Sequence, residues 1–152
     1  MRTILLVACL LYSVYLFSID LNRNYIFYNL NRKGQLTFSS VRDITQDQDG
    51  YIWIGTLKGL NRYDGYNVEH YYRGESGLVS NVINKIIPLT NDSILIGTDK
   101  GLCCYNKRLE TFSAISVDDC CGVNDMYRHL SSIYIASDLG LFVYDCEKKN
   151  YV

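Results

Sequence analysis

The chain has 152 residues, a formal net charge of −1, 48% hydrophobic residues and 20% charged residues. This composition is typical of a globular chain and excludes a disordered or collagen-like one. The 15 Lys and Arg residues are matched by 16 Asp and Glu residues, so no basic excess is available for a phosphate backbone and nucleic acid is not expected as a partner.

The first twenty residues differ from the rest of the chain. Arg2 is the only charge before an apolar run at residues 4–17. This is the pattern of a secretory signal peptide, and the run is short for a permanent membrane span. We therefore predict a signal helix at residues 1–20, acting as a signal peptide or signal anchor, and a periplasmic chain. Contact with a membrane is expected only through this segment, if it stays uncleaved.

From residue 41 onward the chain consists of three copies of one pattern. The stretch at residues 51–64 recurs at residues 93–106 and, with more changes, at residues 132–145. Equivalent isoleucines lie 42 and 39 residues apart, and they are Ile54, Ile96 and Ile135. A repeat of about this length is typical of a four-stranded β-propeller blade. The high content of tyrosine, 14 residues, and the single proline also favour strands.

Each copy is divided into four predicted strands by short polar or glycine-containing turns. The predicted innermost strands are 41–45, 82–89 and 123–130, and the predicted outer strands are 68–72, 111–115 and 150–152. The fold class is therefore all-β, with three four-stranded antiparallel blades at about 41–72, 82–115 and 123–152. Closed propellers usually contain four to eight blades, so this propeller is incomplete. Either the chain is the N-terminal part of a longer protein, or several chains assemble the ring.

Small residues and glycines occupy repeated positions. The second strand of each copy ends in a small residue, which predicts close packing against a neighbouring sheet, and these residues are Gly55, Gly97 and Ala136. The next turn contains a glycine suited to a left-handed backbone, and these glycines are Gly59, Gly101 and Gly140. Residues 21–40 are predicted to form an N-terminal strand, at 25–30, and an entry loop. That strand occupies the position of an outer strand.

Several stretches resemble functional sites but have simpler structural interpretations. The sequence at residues 47–50 alternates carboxylates before a glycine, yet it lacks the terminal ligands of an EF-hand loop, so a hairpin turn is predicted. Its similarity to the Asp-box of sialidases is out of register by one residue. Trp53 alternates with isoleucines and is predicted to be a core residue rather than a sugar platform. His70 and His129 lack a partnered nucleophile and are predicted to be structural or solvated.

The cysteines and tyrosines receive similarly simple interpretations. Five cysteines follow the signal segment, and an odd number leaves at least one thiol unpaired in a monomer. Their two adjacent pairs lack the spacer of common zinc sites, so small buried side chains are favoured over metal ligands. The five are Cys103, Cys104, Cys120, Cys121 and Cys146. Tyrosines near turns could contact carbohydrate, although such residues are normal in sheets. These are Tyr66, Tyr71 and Tyr72.

The stretch at residues 41–65 resembles the two-component regulator propeller repeat. It is similar in particular to the N-terminal sensor region of hybrid two-component system proteins from gut Bacteroidetes. Leu36, Ser39 and Ser40 resemble the entry to each blade of that family, and the entry pattern recurs at residues 77–82. The resemblance covers about residues 25–152 and is weakest in the third copy.

The resemblance implies a periplasmic propeller that senses glycan fragments and signals through a transmembrane helix to kinase, receiver and DNA-binding domains. No such output part is recognisable in residues 21–152, so kinase activity is expected only in full-length relatives. We predict no catalytic residue, metal site or cofactor, and no ligand-binding residue is identified. The expected partners are an oligosaccharide and either further blades or a second copy of the chain. The alternatives are a self-assembling, lectin-like short propeller and an enzyme of sialidase or lyase type.

Overall fold

The computed structural model describes residues 26–74, 76–115, 122–146 and 150–151. The predicted signal segment, Cys120 and Cys121 lie outside these residues. Among the described residues, no helix has the length and apolar character needed to span a membrane.

Twelve strands form three four-stranded antiparallel sheets, and in each sheet the strands lie side by side in chain order. Blade 1 contains β1 (Val41–Gln46), β2 (Ile52–Thr56), β3 (Gly59–Tyr63) and β4 (Val68–Tyr71). Blade 2 contains β5 (Ile83–Thr90), β6 (Ser93–Thr98), β7 (Gly101–Asn106) and β8 (Thr111–Ile115). Blade 3 contains β9 (Val123–His129), β10 (Ser132–Ser137), β11 (Gly140–Asp145) and β12 (Asn150–Tyr151). The predicted all-β fold of propeller blades is confirmed.

The blades stack face to face, and two apolar layers hold them together. The first interface, between blades 1 and 2, has a buried core of Trp53, Leu60, Tyr71, Leu78, Ile83, Ile86, Ile94, Ile96, Cys103 and Tyr105. The second interface, between blades 2 and 3, has a buried core of Ile87, Leu95, Leu102, Val123, Met126, Ile133 and Ile135. Blade 2 contributes to both layers, because successive side chains of a strand point to opposite faces of the sheet.

The small residues that end the second strands allow the close approach that their sequence predicts. A Cβ atom added to Gly55 would lie 2.6 Å from Ile83 Cγ2, and one added to Gly97 would lie 2.7 Å from Val123 Cγ1. Both distances are shorter than real Cβ contacts, so glycine is required where the inner strand of the next blade crosses. Ala136, the equivalent residue of blade 3, is exposed.

The prediction of a strand at residues 25–30 is wrong for the residues that the structure describes. Residues 26–29 lie outside any strand, and Leu30–Lys33 form a single 3-10 turn. Asn29 begins this turn by accepting a hydrogen bond from Asn31 N, and Gly34 ends it with a φ of 68°. Ile26, Phe27 and Tyr28 are 71 to 94% exposed. Residues 26–30 pair with no strand among the described residues, so their apolar character alone does not produce a strand.

The segment that follows covers the face of blade 1 that points away from blade 2. Thr37 N donates to Asn61 Oδ1 over 2.8 Å, and Asn61 Nδ2 donates both to Thr37 Oγ1 and to Ile54 O over 3.0 Å. His70 Nε2 also lies 2.9 Å from Gln35 O. Asn61 is completely buried by these contacts. The entry segment is therefore part of the packed structure of blade 1.

Candidate functional site

The turn at residues 47–50 organises the first interface. Asp47 Oδ1 accepts backbone N–H groups from Asp49 and Tyr51, each over 3.0 Å. Asp47 Oδ2 accepts Trp53 Nε1–H over 2.9 Å and lies 3.2 Å from Lys107 Nζ of blade 2. The carboxylate is thus a turn cap and an ion-pair partner in the hairpin that joins β1 to β2. Burial acts to raise the pKa of Asp47, but the bonds from Trp53 and Lys107 outweigh it and lower the pKa.

Trp53 is fully buried, as its alternation with isoleucines predicts. Its ring stacks on Tyr71 with a centroid separation of 5.9 Å and meets Tyr105 at 5.3 Å. The guanidinium of Arg62 lies 4.8 Å from the Tyr51 ring centroid and 5.8 Å from that of Trp53. Large aromatic side chains therefore fill the first interface and leave no surface of Trp53 for a sugar.

The remaining sequence-predicted residues are scattered over the molecule. His70 contacts a backbone carbonyl, and His129 is exposed on the inner strand of blade 3. Among the tyrosines considered for carbohydrate, Tyr71 is buried in the core and Tyr66 is 88% exposed in the turn between β3 and β4. Cys103 is fully buried, and burial raises its pKa to about 11. In the described part of the chain, no group of three or more metal-ligating side chains lies together.

A partly enclosed cavity of 420 Å³ lies in the second interface, at the end of the blades that carries the β5–β6 and β7–β8 turns. Its lining combines apolar side chains, two thiols, a tyrosine and several polar groups. The lining residues are Leu89, Thr90, Asp92, Ser93, Cys104, Asn106, Ile115, Tyr144 and Cys146. A volume of a few hundred Å³ is suitable for a small organic ligand. We refer to this space as the inter-blade cavity.

Sequence differences between the repeat copies explain why the cavity is present in the second interface. Four positions that hold large side chains in the first interface hold smaller ones in the second. Trp53, Tyr51, Arg62 and Tyr71 are replaced by Leu95, Ser93, Cys104 and Ile115. The Asp47 and Lys107 positions are taken by Leu89 and Cys146, so the ion pair is also missing there. The same backbone repeat thus gives one filled interface and one open interface.

The cavity has polar groups at its rim and less polar groups inside. Thr90 Oγ1 and Ser93 Oγ lie 2.7 Å apart, and Asp92 pairs with Arg108 over 2.7 Å at the surface. Burial raises the pKa of Tyr144, and the nearby thiols of Cys146 and Cys104 add to the effect. The tyrosine hydroxyl therefore stays protonated at neutral pH. Such a site offers hydroxyl, amide and carboxylate groups for hydrogen bonds beside an aromatic ring.

A second cleft, of 320 Å³, lies along the inner strands of all three blades. Asp43 and Lys85 line this cleft, and Asp125 occupies the equivalent position of blade 3. Each of the three pairs across its sheet with the small residue one position before the end of the second strand. Lys85 Nζ lies 3.3 Å from Asp43 Oδ1 and 3.6 Å from Asp125 Oδ1. Arg128 Nη1 donates to Pro88 O over 2.8 Å. These charged groups connect neighbouring blades, so the inner cleft is mainly a structural contact.

Comparison with known proteins identifies the repeat. Residues 35–58 match the family model described as "Two component regulator propeller". This stretch of the chain is therefore similar to the two-component regulator propeller repeat. The matched residues run from the entry segment through β1 and β2 to the following turn.

Stretches of this chain are similar to parts of much longer proteins. Histidine kinase P4 of Formosa agariphila is 38% identical over 72 residues, which are 47% of this chain and 5% of the relative. The extracellular domain of the hybrid two component system BT3049 of B. thetaiotaomicron superposes with a TM-score of 0.74 at 22% identity, covering 84% of this chain and 20% of that one. This second likeness establishes the propeller fold.

The extracellular domain of BT4673, from the same organism, is 30% identical with a TM-score of 0.64. It covers 74% of this chain, which in turn spans 15% of that domain. The chain thus spans a fifth or less of each of these relatives. Its blades superpose on parts of the extracellular domains of BT3049 and BT4673.

The sequence interpretation identified the repeats but not the inter-blade cavity. The signal for the cavity is present in the sequence as a set of small residues where the first copy has large ones. Ser93 and Cys104, for example, stand where Tyr51 and Arg62 stand in blade 1. Without the packing of blade 2 against blade 3, nothing indicates that these positions line one space with Tyr144 of blade 3.

Proposed function

We propose that this chain is part of an exported, periplasmic sensor propeller of a two-component regulator and that it recognises an oligosaccharide in the inter-blade cavity. The observation that carries the proposal is the cavity itself, which lies in the second interface beside residues smaller than those at the equivalent positions of the first. The repeat family and the extracellular domains that this chain resembles support a sensory role. In this proposal the described residues bind the ligand, and the output domains of longer relatives transmit the signal.

The chemistry of the cavity agrees with a carbohydrate ligand. Sugars present hydroxyl groups at their edges and C–H groups on their faces, so their sites combine hydrogen-bonding side chains with aromatic rings. Ser93, Asp92 and Asn106 supply hydrogen-bonding side chains, and Tyr144 supplies an aromatic ring. Among the described residues that line the cavity, Asp92 alone is charged, and it already pairs with Arg108. A neutral oligosaccharide is therefore favoured over an anionic one.

The test is binding of a panel of neutral oligosaccharides to the 152-residue chain, measured on a glycan array and then by calorimetry. In Ser93→Tyr, the side chain present at the equivalent position of blade 1 would fill the cavity. We expect the affinity to fall at least about tenfold, because the ligand loses both its space and a hydroxyl partner.

Ser132→Tyr is the matched control, because Ser132 is the equivalent residue of blade 3 and does not line the cavity. Its affinity should equal that of the unmodified chain. If no oligosaccharide in the panel binds the unmodified chain, the proposed ligand class is wrong. Equal binding by Ser93→Tyr and the unmodified chain would retain the ligand class and reject the cavity as its site.

A further inference from the structure

Two cysteines from neighbouring blades line the inter-blade cavity. Cys104 lies on β7 of blade 2, and Cys146 directly follows β11 of blade 3. Both side chains are partly buried, and the structure holds both as thiols. The two thiols therefore border one space from the two sides of the second interface.

The first interface shows where side chains at these two positions point. The equivalent residues there are Arg62 of blade 1 and Lys107 of blade 2. The guanidinium of Arg62 lies 5.8 Å from the Trp53 ring centroid. Lys107 Nζ lies 3.2 Å from Asp47 Oδ2, which also accepts Trp53 Nε1–H. Side chains at the two positions thus converge on one indole, and in the second interface the smaller Leu95 replaces that indole.

The surroundings of the thiols distinguish Cys104 from its neighbour Cys103. Both cavity thiols act on the Tyr144 phenol, where they add to the rise in its pKa that burial causes. Cys103 lies on the opposite face of β7, because successive side chains of a strand alternate. It is fully buried in the first interface, where burial raises its pKa to about 11. Since the thiolate is the reactive form, Cys103 is protected from oxidation, whereas Cys104 borders an open cavity.

We propose that Cys104 and Cys146 form a disulfide between blades 2 and 3 when the chain meets a small-molecule disulfide. One cysteine thiolate attacks a sulfur of this oxidant and releases its first thiol, and the second cysteine thiolate then attacks the mixed disulfide and releases the other thiol. Two electrons pass from the cysteines to the oxidant, and the two cysteine protons are taken up by the released thiols. The inference rests on the proposed export of the chain only for the source of the oxidant, since exported compartments are oxidising.

The first test maps the bond after incubation of the 152-residue chain with oxidised glutathione at about pH 8.5, near the ordinary pKa of a thiol. The remaining thiols are alkylated, and the chain is digested with trypsin. Cleavage after lysine and arginine places Cys104 in residues 101–107 and Cys146 in residues 129–148. We expect mass spectrometry to recover these two peptides joined by one disulfide. Cys103→Ala is the matched control and should give the same joined peptides.

The second test measures stability, because a bond that closes a loop of about 40 residues constrains the unfolded chain. Oxidation should raise the urea midpoint of the unmodified chain and of Cys103→Ala by about 1 M. Cys104→Ser and Cys146→Ser should each lose both the joined peptides and this rise. Comparing the oxidised and reduced forms of one variant removes any effect of the substitution itself, and circular dichroism checks that every variant retains its sheets.

Three results would overturn the inference. In the first, residues 101–107 are recovered only without a partner peptide. In the second, they are joined to residues 109–128, which carry Cys120 and Cys121. In the third, oxidation leaves the urea midpoint of the unmodified chain unchanged. Oligosaccharide binding is measured separately on the reduced chain, so its failure is distinguishable from failure of the disulfide.

Discussion

The first and second interfaces are built on the same backbone repeat and reach different packing. In the first, Trp53 and Tyr71 fill the space between the blades, and Lys107 of blade 2 pairs with the side chains of Asp47 and Asp49 over 3.2 and 2.6 Å. In the second, shorter side chains leave 420 Å³ open. The comparison teaches that the repeat fixes the positions of the strands, while residue size at a few positions decides whether an interface supports the fold or can also bind a ligand.

The largest effect is expected from giving the first interface the packing of the second. Trp53→Leu introduces the residue found at the equivalent position 95 and removes the indole that contacts Asp47, Tyr71 and Tyr105. We expect a loss of about 2–4 kcal/mol in the free energy of unfolding, because a buried aromatic side chain is exchanged for a smaller one and a cavity remains. Urea denaturation followed by circular dichroism measures the change. A loss below about 1 kcal/mol would contradict the importance of this packing.

A smaller loss of stability is expected when Asp47 is replaced or when the pH is lowered. The pKa of Asp47 is lower in the folded chain than its ordinary value of 3.8. The stabilising contribution is therefore present above about pH 4 and lost as pH falls through the folded pKa. Asp47→Asn should cost about 1–3 kcal/mol at neutral pH, since Lys107 loses its buried partner.

Hydrogen exchange of blade 1 amides between pH 7 and pH 3 separates this effect from general acid unfolding. Protection in the first interface should decline on acidification more than protection in the second, where Leu89 and Cys146 occupy the equivalent positions. In the Asp47→Asn variant, protection in the two interfaces should decline equally on acidification. Equal declines of both interfaces in the unmodified chain would contradict the assignment of the carboxylate as the acid-sensitive contact.

The smallest effect concerns transfer of the ion pair into the second interface. Leu89→Asp and Cys146→Lys reproduce the pair formed by Asp47 and Lys107. Each single change should destabilise the chain, but the double variant should recover about 0.5–1 kcal/mol relative to the sum of the two. A double-mutant cycle in urea measures this coupling. If the cycle shows no coupling, the positions alone do not bring the two charges together. The aromatic side chains that fill the first interface are then also needed.

The repeated features of the fold could be predicted from the sequence, because each of them is local. Positive φ values at Gly59, Gly101 and Gly140 follow from the turn chemistry. The packing at Gly55 and Gly97 follows from the absence of a side chain. The prediction at residues 25–30 is wrong because it also used local sequence alone. Apolar residues indicate a strand, but they do not supply the neighbouring strand with which it must pair.

The candidate site could not be predicted, because it depends on which positions meet across two sheets. Cys104 lies on β7 and Tyr144 on β11, and neither carries a motif that would connect them. Asn61 and Arg62 likewise carry no repeated motif, because their positions hold Cys103 and Cys104 in blade 2 and Phe142 and Val143 in blade 3. The structure shows Asn61 fixing the entry segment and Arg62 covering the aromatic core. Both roles arise from neighbours specific to blade 1.

The contacts of Asp47 also have a consequence for the order in which the chain folds. Its bonds to Asp49, Tyr51 and Trp53 span at most six residues, whereas its bond to Lys107 spans 60. During synthesis from the N-terminus, the first hairpin can therefore form its complete local network before the strands of blade 2 emerge. The same carboxylate then receives the lysine when the second sheet docks. Assembly can thus proceed one blade at a time, as in other proteins whose repeats contact mainly their neighbours.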